Sequence, residues 1–167
     1  MLATTFSFPN PVNEKAARTV AFVVMALAIL TLATSAYWLL AVLAYGFIAR
    51  VLTGPTLSPL GRVASSIIAP RLGPEKPVPG PPKRFAQGMG AVISSAAAIA
   101  ALGFGAGDAA DVLLVMLILA AGLESLFGFC VGCRIFALLM RAGLIPESVC
   151  AECADIRAPG HSAGAGA

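Results

Sequence analysis

The sequence predicts an all-α membrane protein with four transmembrane helices arranged as two hairpins. Three observations predict it. Hydrophobic residues make up 59% of the 167-residue chain and charged residues only 11%, whereas a soluble domain needs about 25% charged residues to face water. Charges are also absent from two long stretches, residues 19–49 and 85–107. Finally, all eleven Lys and Arg residues fall on one side of the resulting topology. An apolar helix of about 20 residues crosses the hydrocarbon core, because each residue rises about 1.5 Å. These criteria place spans near residues 16–34, 36–52, 85–104 and 109–129, and a membrane domain over residues 1–149 followed by a tail over 150–167.

The lead-in Phe8-Pro9-Asn10-Pro11-Val12-Asn13 is restricted by its prolines, and Asn13 is a suitable cap for a helix starting at Glu14. A cleaved leader competes for the first apolar run, since Lys15 and Arg18 precede it and Thr34-Ser35-Ala36 offers small residues at a cleavage site. The next run starts at once with Tyr37-Trp38, so one tight helical hairpin accounts for both.

Residues 53–83 hold eight of the twelve prolines. Within them, Ser58-Pro59 reads as an N-cap followed by proline at the first helical position. Leu60, Val63, Ala64, Ile67 and Ile68 then recur at helical spacing, which predicts a short interfacial helix near 58–69, stopped by Pro70. A plain linker is the alternative. Pro74 to Pro82 reads as an extended connector to the third span. That span is poor in bulk: Gly90 with Ser94 and Ala91 with Ser95 form small faces that let helices approach closely. It is expected at the centre of the bundle.

The two halves look alike. Tyr45-Gly46-Phe47 followed by Arg50 closes the first hairpin, and Phe127-Gly128-Phe129 followed by Arg134 closes the second. A parallel 2+2 repeat about an axis along the membrane normal is the expectation. The basic residues lie before the first span, around the central loop and after the last span, while the turns near Ser35 and Gly105–Asp108 carry none. The positive-inside rule therefore puts both termini in the cytoplasm, in a multi-pass protein. The formal charge of +3 reflects this topology; no stacking platform or recognition helix points to nucleic acid.

Two cysteine pairs carry the only evident chemistry: Cys130-Val131-Gly132-Cys133 where the last span ends, and Cys150-Ala151-Glu152-Cys153 beyond it. On the cytoplasmic side permanent disulfides are rare, so a CxxC pair there serves as a metal clamp or a working dithiol. On one continuous helix Cys130 and Cys133 lie about 60° apart. Gly128 and Gly132 also allow the helix to break and restart, with Cys130 at the new N-terminus, where the helix dipole and Arg134 favour thiolate.

Three readings of the thiols stand together. The first is a dithiol relay with Cys130 attacking, Cys133 resolving and Cys150 with Cys153 shuttling. The second is a structural zinc site made by the same four thiolates, Cys130, Cys133, Cys150 and Cys153, which is the only cofactor the sequence suggests. The third is four small hydrophobic side chains near a helix end. Glu124 is the one acidic residue well inside a span. Burying its carboxylate in lipid costs on the order of 3 kcal/mol unless it is paired. It is a candidate both for proton relay to the thiols and for bonding Ser or Thr on a neighbouring span. His161 sits in a small-residue tail and is not expected to be a ligand.

Four stretches together resemble a known family: Pro11 to Arg18, Leu57 to Arg62, Pro79 to Gln87, and Phe127-Gly128-Phe129-Cys130-Val131-Gly132-Cys133. They are similar to the bacterial membrane family catalogued as domain of unknown function 4395, over roughly Pro9 to Ile145. The resemblance implies a compact multi-span inner-membrane protein and supplies no reaction. It also implies thioredoxin-like or sulfurtransferase partners. The expected function is an integral membrane thiol protein that exchanges electrons or sulfur with such a partner. A zinc-bearing scaffold and a transporter of a small sulfur compound are the alternatives; membrane lipid is the surrounding partner, and a homo-oligomer is compatible with the sequence.

Overall fold

The computed structural model describes residues 8–150. Helix α1, Glu14–Thr34, starts where the Asn13 side chain accepts a hydrogen bond from the Lys15 amide at 3.0 Å. Such a cap contributes about 1 kcal/mol. Ser35 ends the helix in the left-handed conformation at φ 51°, and α2, Trp38–Thr53, runs back.

Residues 59–71 form helix α3, capped by Ser58 with Pro59 in the first turn. Its middle, Ala64–Ile68, is a π-turn. The helix then continues through Pro70 to Arg71, one residue past the expected stop. After the wider turn Pro70 sits at the start of a new helical segment, where a missing N–H is tolerated. The apolar face also differs from expectation. Gly61, Ala64 and Ala69 face the bundle, while Val63 and Ile67 are exposed.

The proline-rich connector is shorter than expected. Pro77–Val78 pairs antiparallel with Val12–Asn13 as a two-residue ladder, β2 on β1, and the Glu14 amide donates to the Lys76 carbonyl. Helix α4, Gly80–Ala98, then takes Pro81 and Pro82 into its first turn, the position where proline fits a helix. It runs on through a π-turn, Ile99–Gly103. Helices α5, Gly107–Phe127, and α6, Val131–Arg141, follow, and a short 3-10 turn, Glu147–Val149, precedes Cys150.

Among the described residues, three helices are long and apolar enough to cross a membrane: Glu14–Thr34, Gly80–Gly103 and Gly107–Phe127. The second expected span is helical but has 16 residues, about 24 Å at the usual rise, short of the roughly 30 Å hydrocarbon core.

The most extensive interfaces join α2 to α4 and α1 to α5. Leu40, Leu43, Ala97, Leu114 and Leu117 are buried between them. Ser94 is wholly buried and donates to the Gly90 carbonyl at 2.7 Å. Gly90 makes room for the Phe47 ring: a Cβ there would lie far inside van der Waals contact distance of Phe47 Cε1. Gly90→Val is therefore expected to destabilise by about 2–3 kcal/mol through overpacking. Gly88→Ala, where nothing lies within 4 Å of the added carbon, should stabilise by up to about 1 kcal/mol through helix propensity. Thermal unfolding of the detergent-solubilised variants measures both, and equal effects would refute the packing argument.

Basic side chains tie the helix ends together at one end of the bundle. Arg18 of α1 donates to the carbonyls of Ser125 and Leu126 at the end of α5, at 2.9–3.2 Å. Arg84 of α4 donates to the Val51 carbonyl near the end of α2 at 2.9 Å. Each satisfies carbonyls that a helix terminus leaves open and sets a cation against its negative end. At the other end, Tyr37 donates to Asp111 at 3.1 Å, joining the two turn regions that carry no basic residue.

Candidate functional site

Helix α5 stops at Gly128, which adopts φ 69°. Its amide donates to the Glu124 carbonyl and the next amide, of Phe129, to Leu123, both at 3.0 Å. A side chain at that φ is strained, so glycine is what lets the chain turn here. Cys130 follows in extended conformation as the N-cap of α6, and its Sγ accepts the Cys133 amide at 3.2 Å. A sulfur thus occupies the place usually taken by a Ser or Asp oxygen. The chain breaks between the span and the thiols, as one of the two geometries open from the sequence requires.

Helix α6 lies hard against α4, because Gly132 meets Ala86: a Cβ on Gly132 would come within 2.6 Å of Ala86 Cα. Cys130 and Cys133 are joined as a disulfide, with Cα atoms 5.2 Å apart. Cys130 is buried and Cys133 half-buried. Both line an open cavity of about 480 Å³ at the basic end of the bundle, walled by Glu14, Lys76, Lys83 and Arg134. On reduction, the Cys133 N–H and the positive end of an 11-residue helix act on the Cys130 sulfur and favour its thiolate. Arg134, expected to share that role, is exposed and places its guanidinium 5.1 Å from the centre of the Phe129 ring.

Glu124 is ion-paired. Lys83 Nζ lies 2.6 Å from its Oε1, with 9% and 14% of the two side chains exposed. No Ser or Thr hydroxyl is its partner among the described bonds. Glu124 and Cys130 line one small cavity of about 70 Å³, although on a continuous helix they would sit about 120° apart. The turn at Gly128 makes the difference. Lys83 also reaches the open cavity beside Cys130, so both members of the pair flank this thiol.

Beyond Lys83 lie two further polar residues that sequence reasoning passed over. Arg50, only 6% exposed, donates through Nε to Gln87 Oε1 at 2.8 Å and through Nη1 to Ser58 Oγ at 3.4 Å. Its Cζ lies 4.7 Å from the Phe47 ring centre. The available signal was the cost of an isolated intramembrane carboxylate. Glu124 demands a cation, and the start of the adjoining span offers Lys83.

Cys150 is buried and packs against Phe136 and Met140 of α6. Cys153 and His161 lie outside the described residues, as does the tail beyond Cys150. Among the described residues no three His, Cys, Asp or Glu side chains gather as a metal site.

A family model described as domain of unknown function (DUF4395) matches residues 12–141. No curated protein matches, and no solved structure matches.

Proposed function

We propose a function for this chain from the premise that it belongs to the DUF4395 family, with the site itself as the guide to chemistry. It is an integral membrane thiol protein in which Cys130 and Cys133 exchange electrons or sulfur with a cytoplasmic thioredoxin-like or sulfurtransferase protein. The observation that carries this reading is the position of Cys130: it caps α6 with its own sulfur, is paired to Cys133, and borders a cavity open at the basic end. In the exchange, the Cys130 thiolate attacks a partner disulfide and one partner thiolate leaves. Cys133 then attacks the mixed disulfide at Cys130, releasing the reduced partner. Two electrons pass to the partner, and the chain is left as the Cys130–Cys133 disulfide. Cys150 and Cys153 form the second, shuttling pair in this proposal.

The proposed setting is the bacterial inner membrane, with α1, α2, α4 and α5 as four spans in two hairpins and both termini cytoplasmic. Gathering of Arg18, Lys76, Lys83 and Arg84 around one end supports this orientation. A parallel repeat is supported by matched details. Arg18 and Arg84 each cap the returning helix of the other hairpin, and Arg50 and Arg134 each cover the Phe of an aromatic-Gly-Phe element.

Alkylation of the purified protein with a mass-tagged maleimide, across thiol–disulfide buffers of graded potential, tests the function. Two tags should appear together at Cys130 and Cys133 as one two-electron couple. Thiols that stay independently reactive at every potential would refute the dithiol, and one zinc per chain under reducing conditions would support the four-thiolate clamp instead.

A further inference from the structure

Next to the thiol site lies a cavity of about 270 Å³ lined by Arg50, Lys83, Gln87, Ser65, Asn13 and Glu75, among others. Its chemistry is set by Arg50. Of the three nitrogens in that guanidinium, Nε and Nη1 bond the neutral groups of Gln87 and Ser58, and Nη2 is buried with no hydrogen-bond partner. Gly46 leaves the space it occupies, since a Cβ there would sit 3.2 Å from Nη1. The carboxylate whose field acts on Arg50 is Glu124, but its Oε1 is already engaged by Lys83. Glu75 is exposed at the rim and makes no ion pair among those described. Arg50, Lys83 and Glu124 therefore sum to one positive charge, with Arg50 itself only 6% exposed.

A buried cation is costly unless it is paired, and an unsatisfied donor adds to that cost. A water molecule would satisfy the N–H without balancing the charge. We propose that this cavity is a binding site for one oxyanion of the sulfate or phosphate class, held by Arg50 Nη2 and facing Lys83. Arginine suits that task, because its planar fork presents donors to two oxygens at once. The phosphate of an anionic lipid headgroup offers the same oxygens as a free ion, and Phe8, Pro9, Pro11, Val12 and Asn13 of the N-terminal lead-in form part of the cavity wall. The proposal is independent of thiol exchange. It does place the anion beside the redox pair, because Lys83 lines both cavities and Gln87 also lines the small cavity at Cys130.

The test uses the full chain in phosphatidylcholine nanodiscs, titrated with sodium sulfate or sodium phosphate against chloride at constant ionic strength, with calorimetry and thermal unfolding as readouts. A second arm uses nanodiscs of increasing phosphatidylglycerol content without added oxyanion. Saturable binding in the first arm identifies a free anion, and saturable stabilisation in the second alone identifies a lipid phosphate. Arg50→Gln should weaken the response at least tenfold. Gln87→Glu guards against a folding defect in that variant: its carboxylate would stand against Arg50 Nε and supply the missing charge internally. It should raise the unfolding temperature of the ligand-free protein and reduce the anion response at least tenfold. Absence of a saturable response in both arms, or a response unchanged in Gln87→Glu, overturns the site.

Discussion

Replacing Lys83 with Met is expected to destabilise the protein by about 3 kcal/mol, at the low end of what breaking a buried ion pair costs. Lys83 and Glu124 are almost fully enclosed and meet at 2.6 Å. Removing the cation leaves a carboxylate beside the small cavity lined by Val20, Ala121 and Met89, where a water satisfies its hydrogen bonds without balancing its charge. The cost stays at the low end because the field of Arg50 still reaches Glu124. Lys83→Met with Glu124→Leu should recover most of the loss, since an apolar pair of similar volume has no charge to desolvate. Thermal unfolding in detergent reads the cycle, with the single variant lower by on the order of 10 °C for a domain of this size. A single variant as stable as the parent would show that the pair is solvated. A double variant no better than the single would show that the two side chains are not coupled.

That pair also marks the limit of what could be read from the residues in order. Helices were legible wherever local chemistry is decisive. Asn13 and Ser58 cap as their side chains dictate, and Gly128 breaks the chain where two glycines flank the first thiol. The apolar runs gave three helices of spanning length, and the one at Gly80 starts a few residues early because Pro81 and Pro82 serve equally well in a connector or in a first helical turn. Partnerships between distant segments were not legible. Lys83 and Glu124 are 41 residues apart, and Arg50 and Gln87 are 37 apart. Nothing in the period of either helix states which neighbour its polar residue faces. Burial of Arg50 was masked by the same signal that revealed topology, since a basic residue at a span end reads as an interfacial anchor. Side-chain exposure on α3 was misassigned for a related reason. Its π-turn at Ala64–Ile68 shifts the face that a regular 3.6-residue period would present.

Removing the resolving sulfur should have the largest effect on function. In Cys133→Ser, the mixed disulfide formed by Cys130 with a partner has no intramolecular thiolate to displace it, so the covalent complex should accumulate at least tenfold over the parent chain. Cys130→Ser should accumulate little, because Cys133 lies within the helix and lacks the capping amide that Cys130 receives. Two physical requirements pull against each other here. Thiolate character favours Cys130, at the positive end of α6, whereas access favours Cys133, the more exposed of the two. The open cavity at both sulfurs lets the first requirement decide. Gel shift under non-reducing conditions, with reductant as the reversing control, distinguishes the two variants. Accumulation in Cys130→Ser alone would exchange the roles of attacker and resolver. Accumulation in neither, in cells that supply thioredoxin-like proteins, would remove disulfide exchange from the description of this site. Gly132→Leu extends the argument to the scaffold. Its side chain would meet the Ala86 backbone and push α6 off α4, so trapping in the Cys133→Ser background should fall even though Cys130 itself is retained.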